Sequence, residues 1–200
     1  ASLVPQWLPA LDNVVPRLEE GIAVADVGCG HGHSTLLMAE AFPNSRFHGI
    51  DTHAESIDAA RRHAAAAGLA DRVTFEVARA TDYPDRGYGL ICFFDTLHDL
   101  GDPVGAARHA AEVLAPGGTV MLVEPFANDR VEHNLSEVGR LYYAASSMIC
   151  CAHAIADGGH LVLGAQAGPK RLADVFRKAG FTHFRRAAET PFNLVCEVRR

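Results

Sequence analysis

The sequence predicts an α/β fold built on a mostly parallel sheet. Short runs rich in β-branched and aromatic residues alternate with helix-length segments from Ile22 onward, as strands joined by crossover helices would. The run 88–94 is apolar almost without a break, which suits a strand covered on both faces. Glycine or proline marks nearly every junction. A length of 200 residues is enough for one domain with a large core.

Residues 22–27 read as a buried strand ending at Gly28, followed by a helix over 34–42 that Pro43 and Asn44 stop. A second strand over 46–50 ends at Asp51. The alanine-rich stretch 53–67 has strong helix propensity, and Gly68 supplies a left-handed cap. Strands follow over 72–77 and 88–94, the latter ending at Asp95. Pro103 starts a helix in which Val104, Ala107, Ala111 and Leu114 recur at helical spacing, before a turn at Pro116, Gly117 and Gly118 and a fifth strand over 119–123. In 169–179, Leu172, Val175, Phe176 and Ala179 form another helical stripe capped by Gly180. Two last strands are expected over 181–186 and 192–198.

Two stretches depart from this alternation. Leu3, Trp7, Leu8, Leu11 and Val14 or Val15 make an amphipathic opening, and a boundary near Glu19 to Gly21 sets residues 1–20 apart as an N-terminal helix and linker. Because the chain begins with Ala1, it is read as a piece of a longer protein. Residues 127–168 hold one helical segment, near 132–153, followed by the flexible Asp157, Gly158, Gly159 and His160. An inserted lid is expected there.

Composition removes several classes. With 48% hydrophobic and 21% charged residues the chain is an ordinary globular one, not a disordered one. A net charge of −6 and scattered basic residues give no reason to expect nucleic acid. No apolar run is long enough to cross a membrane, and no basic stretch leads into an apolar one at the start. The five cysteines, without C-x-x-C spacing, read as reduced thiols in a cytoplasmic protein.

The most informative segment is Val24-Ala25-Asp26-Val27-Gly28-Cys29-Gly30-His31-Gly32-His33-Ser34-Thr35, a strand running through glycines into a helix. Such a turn lets a ligand approach the main chain and the helix N-terminus. A dinucleotide fingerprint would need glycine at 28, 30 and 33, and position 33 is histidine, which disfavours a nicotinamide oxidoreductase. The pattern acid, x, Gly, x, Gly, x, Gly instead resembles the first motif of the class I S-adenosylmethionine-dependent methyltransferases. Asp51, at the end of strand two, is placed to accept both hydroxyl protons of a ribose, or else to cap the next helix.

The resemblance implies a Rossmann-like three-layer sandwich with a seven-stranded sheet of order 3-2-1-4-5-7-6 and strand 7 antiparallel. It implies S-adenosylmethionine as cofactor and S-adenosylhomocysteine as its product. Asp26, Gly28, Cys29, Gly30 and Gly32 would hold the amino acid end, Asp51 and Thr52 the ribose, and Ala80 and Thr81 the adenine, with Phe94 and Asp95 nearby. Arg79 stands where the family often has aspartate. The resemblance covers 21–200, including Leu114-Ala115-Pro116-Gly117-Gly118, and is strongest for actinobacterial methyltransferases in which this domain follows a winged-helix dimerisation domain. A homodimeric full-length protein is therefore implied.

Methyl transfer is an in-line displacement in which the enzyme positions a nucleophile and, for a hydroxyl, removes its proton. Imidazole exchanges protons near neutrality, and Leu97-His98-Asp99 resembles the Leu-His-Asp of small-molecule O-methyltransferases. His98 is thus the candidate general base, with Asp99 orienting it; lining the pocket or capping a helix is the alternative. Glu124, at the end of strand five, would orient the base, bind substrate or make a structural hydrogen bond. Tyr142, Tyr143 and Met148 would form an apolar wall over a flat, aromatic acceptor, or pack in the core. His31, His33, His133, His153 and His160 show no H-E-x-x-H pair and no compact His/Cys cluster, so no metal is expected. The leading expectation is methyl transfer to a small-molecule acceptor through oxygen, with nitrogen and carbon acceptors left open. The alternative is a regulatory domain that binds donor or product without catalysis.

Overall fold

The computed structural model describes residues 2–200. Seven strands form one sheet of order β3-β2-β1-β4-β5-β7-β6. The strands are β1 (Ala23–Val27), β2 (Arg46–Asp51), β3 (Val73–Val77), β4 (Tyr88–Phe94), β5 (Leu114–Pro125), β6 (His183–Glu189) and β7 (Asn193–Arg199). The first five pair in parallel, and β7 runs antiparallel to both β5 and β6. The expected sheet order and strand direction are both observed.

Alternation along each strand divides the core into two layers, because successive side chains point to opposite faces. On one face Ala25, Val27, Ile91, Phe93, Val120 and Leu122 meet α4 (Pro103–Val113) and α7 (Gly168–Lys178). On the other, Val24, Leu90, Cys92, Met121 and Val123 meet α1 (Val14–Glu20), α2 (His33–Ala41) and α3 (Ala54–Ala66). β4 is buried along almost all of its length, as its unbroken apolar run predicts. Among the described residues no helix is long and apolar enough to cross a membrane.

Most boundaries shift by a residue or two from the sequence reading, and three departures are informative. β5 starts at Leu114 rather than 119, because the Pro116-Gly117-Gly118 turn is absorbed as a bulged, register-shifted start of the strand, with Gly117 at φ +70°. β6 starts at His183 and ends at Glu189, with a bulge-like register shift against β7 between Arg186 and Ala188. The N-terminal stretch is broken into short turns, yet Leu3, Leu8, Leu11, Val14 and Leu18 are all buried in the second layer. Asp12 adds ion pairs to Arg185 (2.8 Å) and Arg199 (2.7 Å), and both arginines also pair with the buried Glu197.

Residues 137–156 form one nearly continuous helical path: α5 (Glu137–Ala145), a wide turn over Ser146–Cys150, and α6 (Cys151–Ala156). The Ser136 hydroxyl caps α5 by accepting from Gly139 N–H at 3.0 Å. Strand order reverses between β1 and β4, so the crevice an α/β sheet offers a ligand opens at the carboxyl ends of these two strands.

Candidate functional site

A cavity of about 250 Å³ lies at that crevice. It is lined by Val27 and Gly28 after β1, Ile50, Asp51 and Thr52 after β2, Ala78 and Ala80 after β3, Asp95, Thr96, Asp99 and Leu100 after β4, and His153 of α6. A second cavity of about 770 Å³ shares Thr52, Ala80, Leu100 and His153 with it and adds Arg79, Thr81, Asp157 and His160. An Arg79–Asp157 ion pair of 3.6 Å joins the loop after β3 to the inserted segment.

The glycine turn owes its shape to two different constraints. Gly28, at φ +76°, lies where a Cβ would come within 2.3 Å of Thr96 Cγ2, and Gly32, at φ +79°, where it would meet the Phe75 ring at 2.6 Å. Gly30 has only the positive φ of +52° to explain it, with no neighbour within 4 Å of such a Cβ. The turn is tied inward: Gly28 and Cys29 N–H both donate to Ile50 O, and Gly32 N–H donates to Cys29 O. Gly30 N–H donates to Asp51 Oδ2 at 2.9 Å, while Asp51 Oδ1 accepts from His53 N–H at 2.9 Å. Asp51 lines the cavity and does not cap α3, whose N-cap residue is His53 with no side-chain cap; each Asp51 oxygen keeps a second lone pair for a hydroxyl.

Not every residue expected at the site reaches the cavity wall. Asp26 is buried beneath the turn, where its Oδ2 accepts from Ser34 Oγ (2.7 Å) and Thr35 Oγ1 (2.6 Å) and so pins the start of α2. Burial is the main reason its carboxyl is raised to about 6, against the pull of those two hydroxyls. Cys29 is buried in the second core layer, and burial pushes its thiol far above the ordinary range. Phe94 packs against that same layer. Met148 is 78% exposed, and Tyr142 OH donates to Phe192 O (2.9 Å), so the expected aromatic wall does not line the cavity. His153 and Leu100 stand there instead.

After β4 the backbone is strained at Asp95, a non-glycine residue at φ +49°. Loss of water around its carboxyl and then the Glu124 charge raise Asp95 to about 6. His98 is 4% exposed and sits on a one-turn helix over Leu97–Asp99. Its Nδ1 is 2.5 Å from Glu124 Oε2, and Glu124 Oε1 accepts from Leu97 N–H at 3.0 Å, so one buried carboxylate sets both the ring and the turn that carries it. The other nitrogen, Nε2, is 3.2 Å from Asp99 Oδ1. Burial opposes a charge on the ring, but the hydrogen bond and charge of Glu124, with Asp99 and Asp95 behind it, outweigh that and raise His98 to about 8.

Sequence reasoning missed Thr96, which fills the space a side chain at position 28 would need, and Cys150, whose thiol comes beside Asp99 from the inserted segment. Neither has a local signal: Gly28 and Thr96, or Asp99 and Cys150, meet only because the sheet reverses and the segment folds back.

A family model described as a methyltransferase domain matches residues 18–180. The chain belongs to this methyltransferase family. The domain is 35% identical over 107 residues to 27-O-demethylrifamycin SV methyltransferase of Amycolatopsis mediterranei (strain S699), a match covering 52% of this chain and 39% of that relative. It superposes on the mitomycin 7-O-methyltransferase MmcR with a TM-score of 0.72 at 19% identity, over 92% of this chain and 50% of that one. For human N-acetylserotonin methyltransferase in complex with S-adenosylmethionine the TM-score is 0.68 at 16% identity, over 97% and 50%. The methyltransferase domain thus has the class I fold, and it spans half or less of each of these three proteins.

Proposed function

We propose that the domain transfers the methyl group of S-adenosylmethionine to an oxygen of a small-molecule acceptor, with His98 as general base. The observation that carries this reading is the buried His98–Glu124 pair at the carboxyl end of β4 and β5, joined through Asp99, 3.2 Å from His98 Nε2, to a cavity that Asp99 lines with Gly28, Asp51 and Asp95. The donor's ribose would bind Asp51 and its adenine would lie toward Thr52, Ala80 and Thr81. Glu124 holds the ring and stabilises the imidazolium formed when the acceptor hydroxyl gives up its proton at Nε2; Asp99 orients that nitrogen. Residues 127–168 would serve as the cover on the acceptor side, and five free thiols support a reducing, cytoplasmic setting. S-adenosylmethionine supplies an electrophilic methyl group, and the protein's part is position and proton removal.

Calorimetric titration with S-adenosylmethionine, S-adenosylhomocysteine and NADH, repeated on Asp51→Ala, tests the donor side. Saturable binding of the first two, weakened by the substitution, is expected; binding of NADH alone overturns the reading. The second reading, a regulatory domain that binds donor without turnover, draws on the burial of His98 between two carboxylates. Methyl transfer to any defined hydroxyl acceptor, lost in His98→Ala while donor binding persists, would eliminate it.

A further inference from the structure

Beside the cavity, the cluster around His98 Nε2, the ring nitrogen turned away from Glu124, holds three side chains of different chemistry. His98 Nε2, an Asp99 carboxylate oxygen and Cys150 Sγ lie within 4.8 Å of one another. We propose that these three residues form a binding site for a thiophilic divalent cation of the zinc class, with a fourth coordination position open toward the cavity. The inference stands on this geometry and does not need the methyl-transfer reading.

Four observations support it. Nitrogen, thiolate sulfur and carboxylate oxygen are the ligand types zinc takes, and three protein ligands with one position open is how zinc sites that act on small molecules are built. Glu124 accepts from the opposite nitrogen of His98, the carboxylate–histidine arrangement that aims a metal-binding imidazole and raises its basicity. Asp99 Oδ1 is shielded from solvent and lies 3.2 Å from His98 Nε2, while the Cys150 thiol hydrogen-bonds to the same carboxylate, so the three groups already converge on one point. An ion there would replace the protons that now hold nitrogen, oxygen and sulfur together. Finally, Asp99 also lines the cavity, so an ion has a route in from solvent.

Loading is balanced simply: the divalent ion binds, and the Cys150 thiol proton, with any proton on His98 Nε2, leaves to the buffer. No oxidation or reduction is involved. The same lone pair of Nε2 would take either the ion or a proton from an acceptor, so the two occupancies exclude one another.

Cobalt(II) titration of the untagged protein under reducing conditions is the test. One equivalent is expected to give intense tetrahedral d–d bands and a thiolate-to-cobalt charge-transfer band, both erased by zinc. Cys150→Ser should abolish the charge-transfer band, whereas Cys151→Ser and Cys29→Ser should leave it intact. Asp99→Asn and Glu124→Gln should each weaken the ion by about tenfold to a hundredfold. X-ray absorption of the zinc-loaded wild type needs no variant and should show one sulfur at about 2.3 Å among nitrogen and oxygen ligands. The site is overturned by the absence of saturable binding, by a sulfur-free zinc environment, or by a charge-transfer band that survives Cys150→Ser. Donor binding, titrated separately, reports on the functional reading alone: metal without donor binding would sink that reading and keep the site.

Discussion

The two halves of the candidate site are made in different ways. One half is backbone: a glycine turn whose amides are tied to Ile50, Cys29 and the single carboxylate of Asp51, all within the first βαβ unit. The other half is side chain: His98 from the end of β4, Glu124 from the end of β5 and Cys150 from residues 127–168 converge across large sequence separations, and they meet the cavity through Asp99. Backbone sites are set by steric rules that few residues satisfy, so they leave a recognisable pattern. Side-chain sites depend on which distant elements are packed together, and the same fold can host many of them.

The difference between the halves can be broken at either end. The largest effect is expected from His98→Ala, which should slow transfer by about 10²–10⁴-fold while leaving donor affinity unchanged, read by single-turnover kinetics and calorimetry. Loss of both together would make His98 a framework residue. Gly28→Ala should cost on the order of 2–3 kcal/mol in urea unfolding, since it adds overpacking against Thr96 to a left-handed backbone. Thr96→Ala should recover part of that loss.

Asp51→Ala should weaken the donor by about tenfold to a hundredfold, corresponding to roughly 1.4–2.8 kcal/mol. The profile of kcat/KM should rise with pH through about 8, because the base form of His98 is needed and its carboxylate neighbours hold the proton. Stability runs the opposite way. The raised His98 contributes fully below its ordinary value near 6.5, and this contribution of about 2 kcal/mol is lost as pH rises through about 8. Glu124→Gln should move the kinetic inflection to lower pH and flatten that loss, measured by unfolding between pH 6 and 9. The smallest effect belongs to Gly30→Ala, about 1 kcal/mol, where only backbone strain is at stake.

Most of the sheet was legible because each strand carries its own signal. β4 reads as buried on both faces from its apolar run alone, and the Ala54–Ala66 helix from its alanines and its glycine cap. The start of β5 was not legible, since Pro116-Gly117-Gly118 has turn chemistry that pairing with Tyr88 overrides. At the site, Asp51 could be found from its distance beyond the glycine turn. Asp26 could be found too, but not its role, because Ser34 and Thr35 reach it only once α2 is formed. Met148 looked like part of an acceptor wall by composition; the face it occupies depends on how the segment docks, and it points to solvent.

What the sequence by itself determined is the alternation of strands and helices, the glycine turn and the acid after strand two, because backbone sterics and hydrophobic period act over a few residues. Only the tertiary structure decided that Thr96 would close over Gly28, that Glu124 would hold His98 between two carboxylates, and that Cys150 would join them. Those contacts carry no local preference. They exist because burying two apolar faces of one sheet brings the carboxyl ends of β4 and β5 together beneath a segment that folds back across them.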